Sequence, residues 1–575
     1  MQESMQAFIA KFRNFLNRPK VREYAPFFIL ACFLFPLYSY LYWTTGNLFN
    51  SPDETAASFF SRLYIETGTF SYTEPFNSLL PGWIHPRSMV IENGTVLPIS
   101  FLGILLFLGT LGGIVGPWSI PYIIPLLSAI IPLFFYGFAK HIFSSKTAFW
   151  SAILLAIHPA IIYYNERNFL PNALFLDIFI LFLFFFFAWI SWKQKQKWIF
   201  AVSSSSLLAL LISIRLFEAI WLGPLVLILC ILFWKKNSMK EWLMWGILCS
   251  LFMTPLLAGQ WITYGSPFKT GYGITGDIIP PPEPSEVIGE PAIPPEPPIP
   301  EPPACKSVEC LPGFNKVFPF GLDRYNITHN FQAIGVNLLG IIFLPCLVGL
   351  LLFFWKEKAF PQRVYSVLAL GIALYLIAVY GSWGVRDNIN PNITTIGLSH
   401  VRYWLPIWAF FLPFSAYLYL KITRGNKIAM SIIILGLSIY SGKVVLGSSE
   451  DSIHHVLASI RHYQQVQNDF SALAPEDSII ISERSDKIFF PKYRVISVPD
   501  KNYVHVFSHI QKLLEQAPIY FYTQMPDSDI QYLQSRHLEF QGLYFKEVKK
   551  WEDGFRMHVI RDQQIPLNPP LTRGT

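Results

Sequence analysis

The feature that most limits this chain is its succession of long apolar segments. They run at residues 25–43, 98–115, 118–139, 147–163, 170–192, 198–214, 217–234, 242–263, 335–355, 364–383, 400–420 and 427–444. A run of ~20 apolar residues crosses a bilayer as a helix, because a helix satisfies its own backbone inside hydrocarbon. Composition agrees: 52% of the 575 residues are hydrophobic and only 14% are charged, whereas about a quarter of a soluble domain is charged. The expected fold class is a polytopic α-helical membrane protein with about 11–13 transmembrane helices.

The net charge of +7 does not lie along one face, as a nucleic-acid surface would require. Basic residues gather instead in short clusters between apolar segments: Lys11 to Arg22, Lys140 to Lys146, 193–197, Lys235 with Lys236, 356–358 and 421–427. Such clusters mark cytoplasmic loops. The first 24 residues then form a basic cytoplasmic segment, with no cleavable signal peptide evident, and the chain is placed multi-pass in a plasma or inner membrane. Three apolar segments separate Arg22 from Lys140, an odd number that would put them on opposite sides. Either 98–115, with its glycines in "LGTLGGIVG", is re-entrant or interfacial, or one boundary is misplaced.

On this topology the loops 44–97, 163–170, 264–334 and 384–399 are extracytoplasmic, together with the tail. Residues 25–444 form the transmembrane domain, and 264–334 carries a Pro/Glu-rich spacer at 278–303 with the composition of a polyproline-like linker. Beside the spacer, Cys305 and Cys310 read equally as a small disulfide loop or as two thiols. Cys32, Cys230, Cys249 and Cys346 lie in apolar segments as small hydrophobes. From 445 to 575 the apolar runs cease. Segments such as "DSIIISE", "YRVISV", "PIYFYT" and "FRMHVI" alternate with amphipathic helical stretches, which predicts a small extracytoplasmic α/β domain.

Ionisable residues near a bilayer are costly and concentrate where function is. On the extracytoplasmic side these are Asp53 and Glu54 in "SPDETAASFF", His85 and Arg87 in "WIHPRS", Glu166 and Arg167 in "YYNERNFLPN", Arg215 and Glu218 in "SIRLFEA", and His400, Arg402 and Tyr403 in "SHVRYWLP". A carboxylate accepts a proton from a nucleophilic hydroxyl, and guanidinium groups hold phosphate through paired hydrogen bonds. The set suits transfer from a lipid phosphate. Each member also has a plainer reading. Asp53 and Glu54 favour the positive end of a helix. Arg167 reads as a snorkelling cation, and Arg215 as a partner of Glu218 or Asp177. Arg402 and Tyr403 read as interface anchors, and His85 and His400 as packing residues.

In order along the chain, the "PDE" loop opening with "TAASFFSRLYIETGTF", then "HPAIIYYNERNFLPNALFL", "FPFGLDRYNITHNF" and "VRYWLP", resemble the protein O-mannosyltransferase and aminoarabinose-transferase superfamily. The likeness covers about residues 20 to 445. It implies a GT-C-like fold and a glycosyltransferase that moves a sugar from a polyprenyl-monophosphate carrier to a glycan, lipid or protein acceptor on the extracytoplasmic face, with inversion. It further implies Asp53 as general base with Glu54 beside it. Arg167, Arg215, Arg402 and Tyr403, with His85, Arg87 and Glu166, become the substrate and phosphate set. Where the family often has Asp, this chain has Asn172, so no metal ligand is assigned; a divalent metal as cofactor is the weaker alternative. "WIHPRS" matches the family's His-Pro-Pro pattern in part.

The rival readings are an oligosaccharide ligase or polymerase with diphosphate-linked donors, a lipid or sugar transporter or flippase, and a scaffold acting through its tail. A transporter calls for internal repeats and charges at the membrane midplane, and neither is visible.

Overall fold

The computed structural model describes residues 19–78, 82–192, 196–274, 317–384, 393–447, 450–498, 506–507 and 510–562. The first eighteen residues of the basic N-terminal segment, the spacer 278–303 and the Cys305/Cys310 pair lie outside the described residues. Two compact units emerge. One comprises the described parts of Met1–Gly46, Phe101–Ala258 and Pro300–Ala458; the other, those of Asn47–Ser100, Gly259–Ile299 and Ser459–Thr575.

Among the described residues nine helices are long and apolar enough to cross a membrane, and two bent pairs bring the number to eleven. Ser145–Ala156 and Pro159–Glu166 meet at 50°. Pro159 explains that break, since its ring removes an N–H and disfavours helix in the residue before it. The second pair, Arg324–Leu338 and Gly340–Lys356, meets at 99°.

The helical unit settles the odd count between Arg22 and Lys140. Glu23, in the first turns of Pro19–Thr45, pairs with Lys140, just beyond Ile120–Ala139. Toward the other ends of these helices Tyr42 meets Tyr122 edge-on at 5.6 Å. The two helices are therefore antiparallel, and the chain returns to the end from which it started. Leu102–Val115, between them, has 14 residues, only about 21 Å at 1.5 Å per residue, too short for a ~30 Å hydrocarbon core. It is a helix that makes no net crossing. Gly103 lets it lie flush on Lys197–Ile214: a Cβ there would fall 2.2 Å from the Ser213 carbonyl carbon.

The second unit joins distant parts of the chain. Strands β1 (Tyr72–Thr73), β2 (Met89–Glu92) and β3 (Thr95–Pro98) form an antiparallel sheet in the order β1-β3-β2. Strands β4 (Ile479–Ser482), β5 (Arg494–Ser497), β6 (Ile519–Thr523), β7 (Leu543–Lys550) and β8 (Arg556–Asp562) form a second sheet in the order β5-β4-β6-β8-β7. β4 is parallel to β5 and β6, and β8 is antiparallel to β6 and β7. This is the expected C-terminal α/β fold. Its core of Ile479, Ile481, Ile496 and Phe521 also takes in Ile84, from the loop after the first membrane helix. Residues 47–100 thus fold with the tail, across the boundary at 445 that composition suggested.

Candidate active site

The stretch "SPDE" opens the helix Pro52–Thr67. Ser51 is its N-cap, in extended backbone, and Pro52 supplies a preset first turn. The Ser51 side chain and Glu54 complete a capping box: Glu54 Oε2 accepts from the Ser51 N–H at 3.1 Å, and Ser51 Oγ accepts from the Asp53 N–H at 3.3 Å. Glu54 is 3% exposed and turned back onto the cap. The helix-start reading therefore describes Glu54, and the two acids are not equivalent. Asp53 is half-buried, and its Oδ1 accepts from Ser88 Oγ at 2.6 Å.

Ser88 sits at φ 63°, a left-handed conformation uncommon outside glycine. Its neighbour Arg87 shows what holds it there. The Arg87 backbone N–H and Nε both donate to Asp486, each at 2.8 Å, and a further guanidinium N–H reaches the Arg484 carbonyl. Asp486 is fully buried, so this is a charge-assisted fork of the stronger kind. The next residue, Lys487, donates to the Asn50 carbonyl at 2.6 Å, immediately before the helix cap. The C-terminal part of this unit thus grips the Asp53 helix at its entry and the Ser88 turn at its base. Arg87, expected among the phosphate-binding set, is found committed to Asp486. His85 hydrogen-bonds the Pro86 carbonyl through Nδ1 at 2.8 Å. Burial pushes its pKa below the ordinary 6.5, opposed in part by that carbonyl and by Asp486, which keeps the ring neutral at physiological pH.

In the helical unit the three predicted arginines converge. Arg215, 8% exposed, ends Lys197–Ile214 and bonds Glu218 through Nε at 3.0 Å and through Nη2 at 2.8 Å. Nη2 also donates to the Tyr380 hydroxyl at 3.0 Å, and that hydroxyl donates to Glu218 at 2.6 Å. Trp221 Nε1 donates to the second Glu218 oxygen. Tyr380 and Tyr403 stack at 4.4 Å, and the guanidinium centres of Arg215 and Arg402 lie 4.7 and 5.4 Å from the Tyr403 ring centroid. Both cations thus lie against one aromatic ring, which adds to the pairing of Arg215 with Glu218 and stabilises Arg402 without neutralising it.

Arg167 joins through the turn between Pro159–Glu166 and Pro171–Ser191. It donates to the Tyr163 hydroxyl at 3.3 Å. The next tyrosine, Tyr164, donates to the carbonyls of Ile396 and Leu398 at 3.1 and 3.0 Å, and Asn172 Nδ2 to the Arg402 carbonyl at 3.3 Å. That last bond needs an amide; a carboxylate has no proton to offer. His400, by contrast, positions backbone: its Nε2 lies 2.9 Å from the Trp383 carbonyl oxygen.

Glu166 is 2% exposed, and its Oε2 has no hydrogen-bond partner among the described residues. Asp177 pairs not with Arg215 but with Ser128, which also donates to Asn165 at 3.1 Å. Among the described residues no three His, Cys, Asp or Glu converge as a metal site. Sequence reading missed Tyr380, Trp221 and Asp486. The first two lie in apolar runs where aromatics are ordinary, and Asp486 stands in a polar segment where an acid attracts no notice.

No protein-family model and no curated protein matches the chain. Among solved structures it is similar to ArnT from Cupriavidus metallidurans, in the apo state and bound to undecaprenyl phosphate, with 9% identity, a TM-score of 0.49, and 93% of this chain and 97% of that chain covered. It is also similar to the archaeal oligosaccharyltransferase AglB from Archaeoglobus fulgidus, in complex with an inhibitory peptide and a dolichol-phosphate. Identity there is 10%, the TM-score 0.46, and coverage 94% of this chain and 75% of that one.

Proposed function

We propose that this chain is an integral-membrane glycosyltransferase that moves a sugar from a polyprenyl-monophosphate carrier to an acceptor hydroxyl on the extracytoplasmic face. The observation that carries the reading is the gathering of Arg167, Arg215 and Arg402 around Tyr163, Tyr164 and Tyr403. Arg167 and Arg215 are buried and Arg402 half-buried, and Glu218 neutralises only one of them; such an excess of costly cations in one region of a membrane unit is the composition of an anion site. The motif order in the sequence supports the same reading.

In the proposed reaction Asp53 accepts the proton of the acceptor hydroxyl. The oxygen attacks the sugar C1 from the face opposite the carrier, the C1–O bond to phosphate breaks, and its electron pair leaves with the lipid phosphate. The configuration at C1 inverts. Donors fixed in advance stabilise the charge growing on the departing phosphate without reorganising. Glu54 holds the helix start, Ser88 orients Asp53, and the Arg87–Asp486 fork holds the Ser88 turn.

The test is Asp53→Asn in the purified protein in liposomes, with polyprenyl-phosphate binding measured in parallel. Loss of sugar transfer with carrier binding retained is expected, since a positioned general base contributes ~10²–10⁴ in rate. Near-normal turnover by a folded variant removes Asp53 from the role. Failure of the wild type to bind the carrier removes the donor class.

A further inference from the structure

The second unit contains a cleft that the proposed chemistry does not use. It has a volume of about 250 Å³ and is walled by Phe59, Tyr72, Phe490 and Tyr493. Phe59 meets Tyr72 at 5.4 Å and Phe490 at 4.8 Å, both edge-on, so the rings brace one another at different angles. Polar groups stand among them: Glu74 paired with Arg494 at 3.0 Å, together with Glu476 and Lys492. Among the described residues neither the Tyr72 hydroxyl nor the Glu476 carboxylate makes a hydrogen bond. Burial, and then the charge of Glu74, raises the Tyr72 pKa, so its hydroxyl stays a donor.

From this chemistry we infer that the cleft binds one neutral pyranose ring, the sugar of the acceptor that lies next to the reacting hydroxyl; the acceptor part of the inference rests on the function proposed above. Four observations select that ligand. Two carboxylates and two cations line the cleft, so their charges cancel and an anionic ligand would meet both acids. Aromatic faces beside planar, bond-forming side chains match a sugar ring, which has an apolar C–H face and a rim of hydroxyls that both donate and accept. The volume lies just below the ~300–1,000 Å³ of drug-sized pockets, room for one ring between its walls. Finally, the cleft takes one wall from the Asp53 helix, where Phe59 lies six residues and about 9 Å along the axis beyond Asp53, and another from Pro86, two residues before Ser88.

The experiment is saturation-transfer NMR on the full chain in nanodiscs, with glucose, galactose, mannose and their β-linked disaccharides as probes and glucose 6-phosphate as the anionic comparison. At least one neutral sugar is expected to bind wild type, and to bind Tyr72→Ala and Glu476→Ala about five- to tenfold more weakly, the loss of one hydrogen bond or more. Glucose 6-phosphate should bind less well than glucose. Glu476 is solvent-exposed, so its variant keeps the fold if Tyr72→Ala does not. Equal sugar binding by wild type and Glu476→Ala, or preference for the phosphorylated sugar, overturns the inference. Asp53→Asn separates the two proposals. It should bind the sugar as wild type does while losing transfer; normal transfer by it would end the catalytic role of Asp53 and leave the cleft standing.

Discussion

The two units hold their charged groups by opposite means. In the helical unit Arg215 is nearly sealed from solvent and held by fixed partners, two bonds to Glu218, one to Tyr380 and the Tyr403 face. In the other unit Asp53 stays half-buried at a helix start and receives a hydroxyl from a turn that is itself anchored 399 residues away in sequence. The difference matches what each charge is asked to do. A cation that stabilises developing charge works best when it cannot reorganise. A carboxylate that accepts a proton must be reachable, so its precision comes from the frame around it.

The comparison breaks first at the two acids. Asp53→Asn should lower transfer by ~10²–10⁴. Glu54→Gln should leave it within a few-fold, because Gln serves the same position of a capping box. Equal damage from both would end the division of labour between them. Next comes the cation. Arg215→Ala should cost ~10²–10³ in transfer rate, the effect of removing one preorganised donor. If carrier turnover were unaffected while the melting temperature fell, Arg215 would be a structural ion pair with Glu218 and nothing more.

The frame is tested by Arg87→Ala, which leaves the buried Asp486 without its cation. Losing one partner of such a pair costs about 3 kcal/mol or more, and because Arg87 is 26% exposed solvent screening lowers that figure. Denaturant unfolding should place the loss in the Asp53-bearing unit and leave the helical unit unchanged. A smaller effect is expected from Ser88→Ala, about 1 kcal/mol for one hydrogen bond, read as a several-fold fall in transfer with carrier affinity intact.

The smallest concerns pH. The His85 pKa is lowered in the folded state, so its neutral form contributes stability that is fully present above pH 6.5 and is lost as pH falls from 6.5 through the folded-state value. His85→Gln should flatten that part of the stability profile. An unchanged profile would show that the ring is equally easy to protonate folded and unfolded.

Much of the fold could be read from the residues. Apolar length announced the membrane helices, and "DSIIISE", "YRVISV", "PIYFYT" and "FRMHVI" fell on β4, β5, β6 and β8. Strand β7 escaped because four of the eight residues of "LYFKEVKK" are charged, which suits the sheet edge it occupies. Of the site, the types were legible and the partners were not. Arg167, Arg215 and Arg402 stood out as charges beside apolar runs, yet Arg215 fitted Glu218 and Asp177 equally well until Ser128 was seen to hold Asp177.

By itself the sequence determined the solvent, the helix starts and the inventory of ionisable groups, because transfer free energy and capping are local properties of a few consecutive residues. Tertiary structure decided that Asp53 receives the Ser88 hydroxyl, that residues 47–100 share a core with the tail, and that Arg87 belongs to Asp486. Those are pairings between groups 35 to 399 residues apart. No local propensity encodes them, since the energy of a buried charge depends on the partner that folding brings to it.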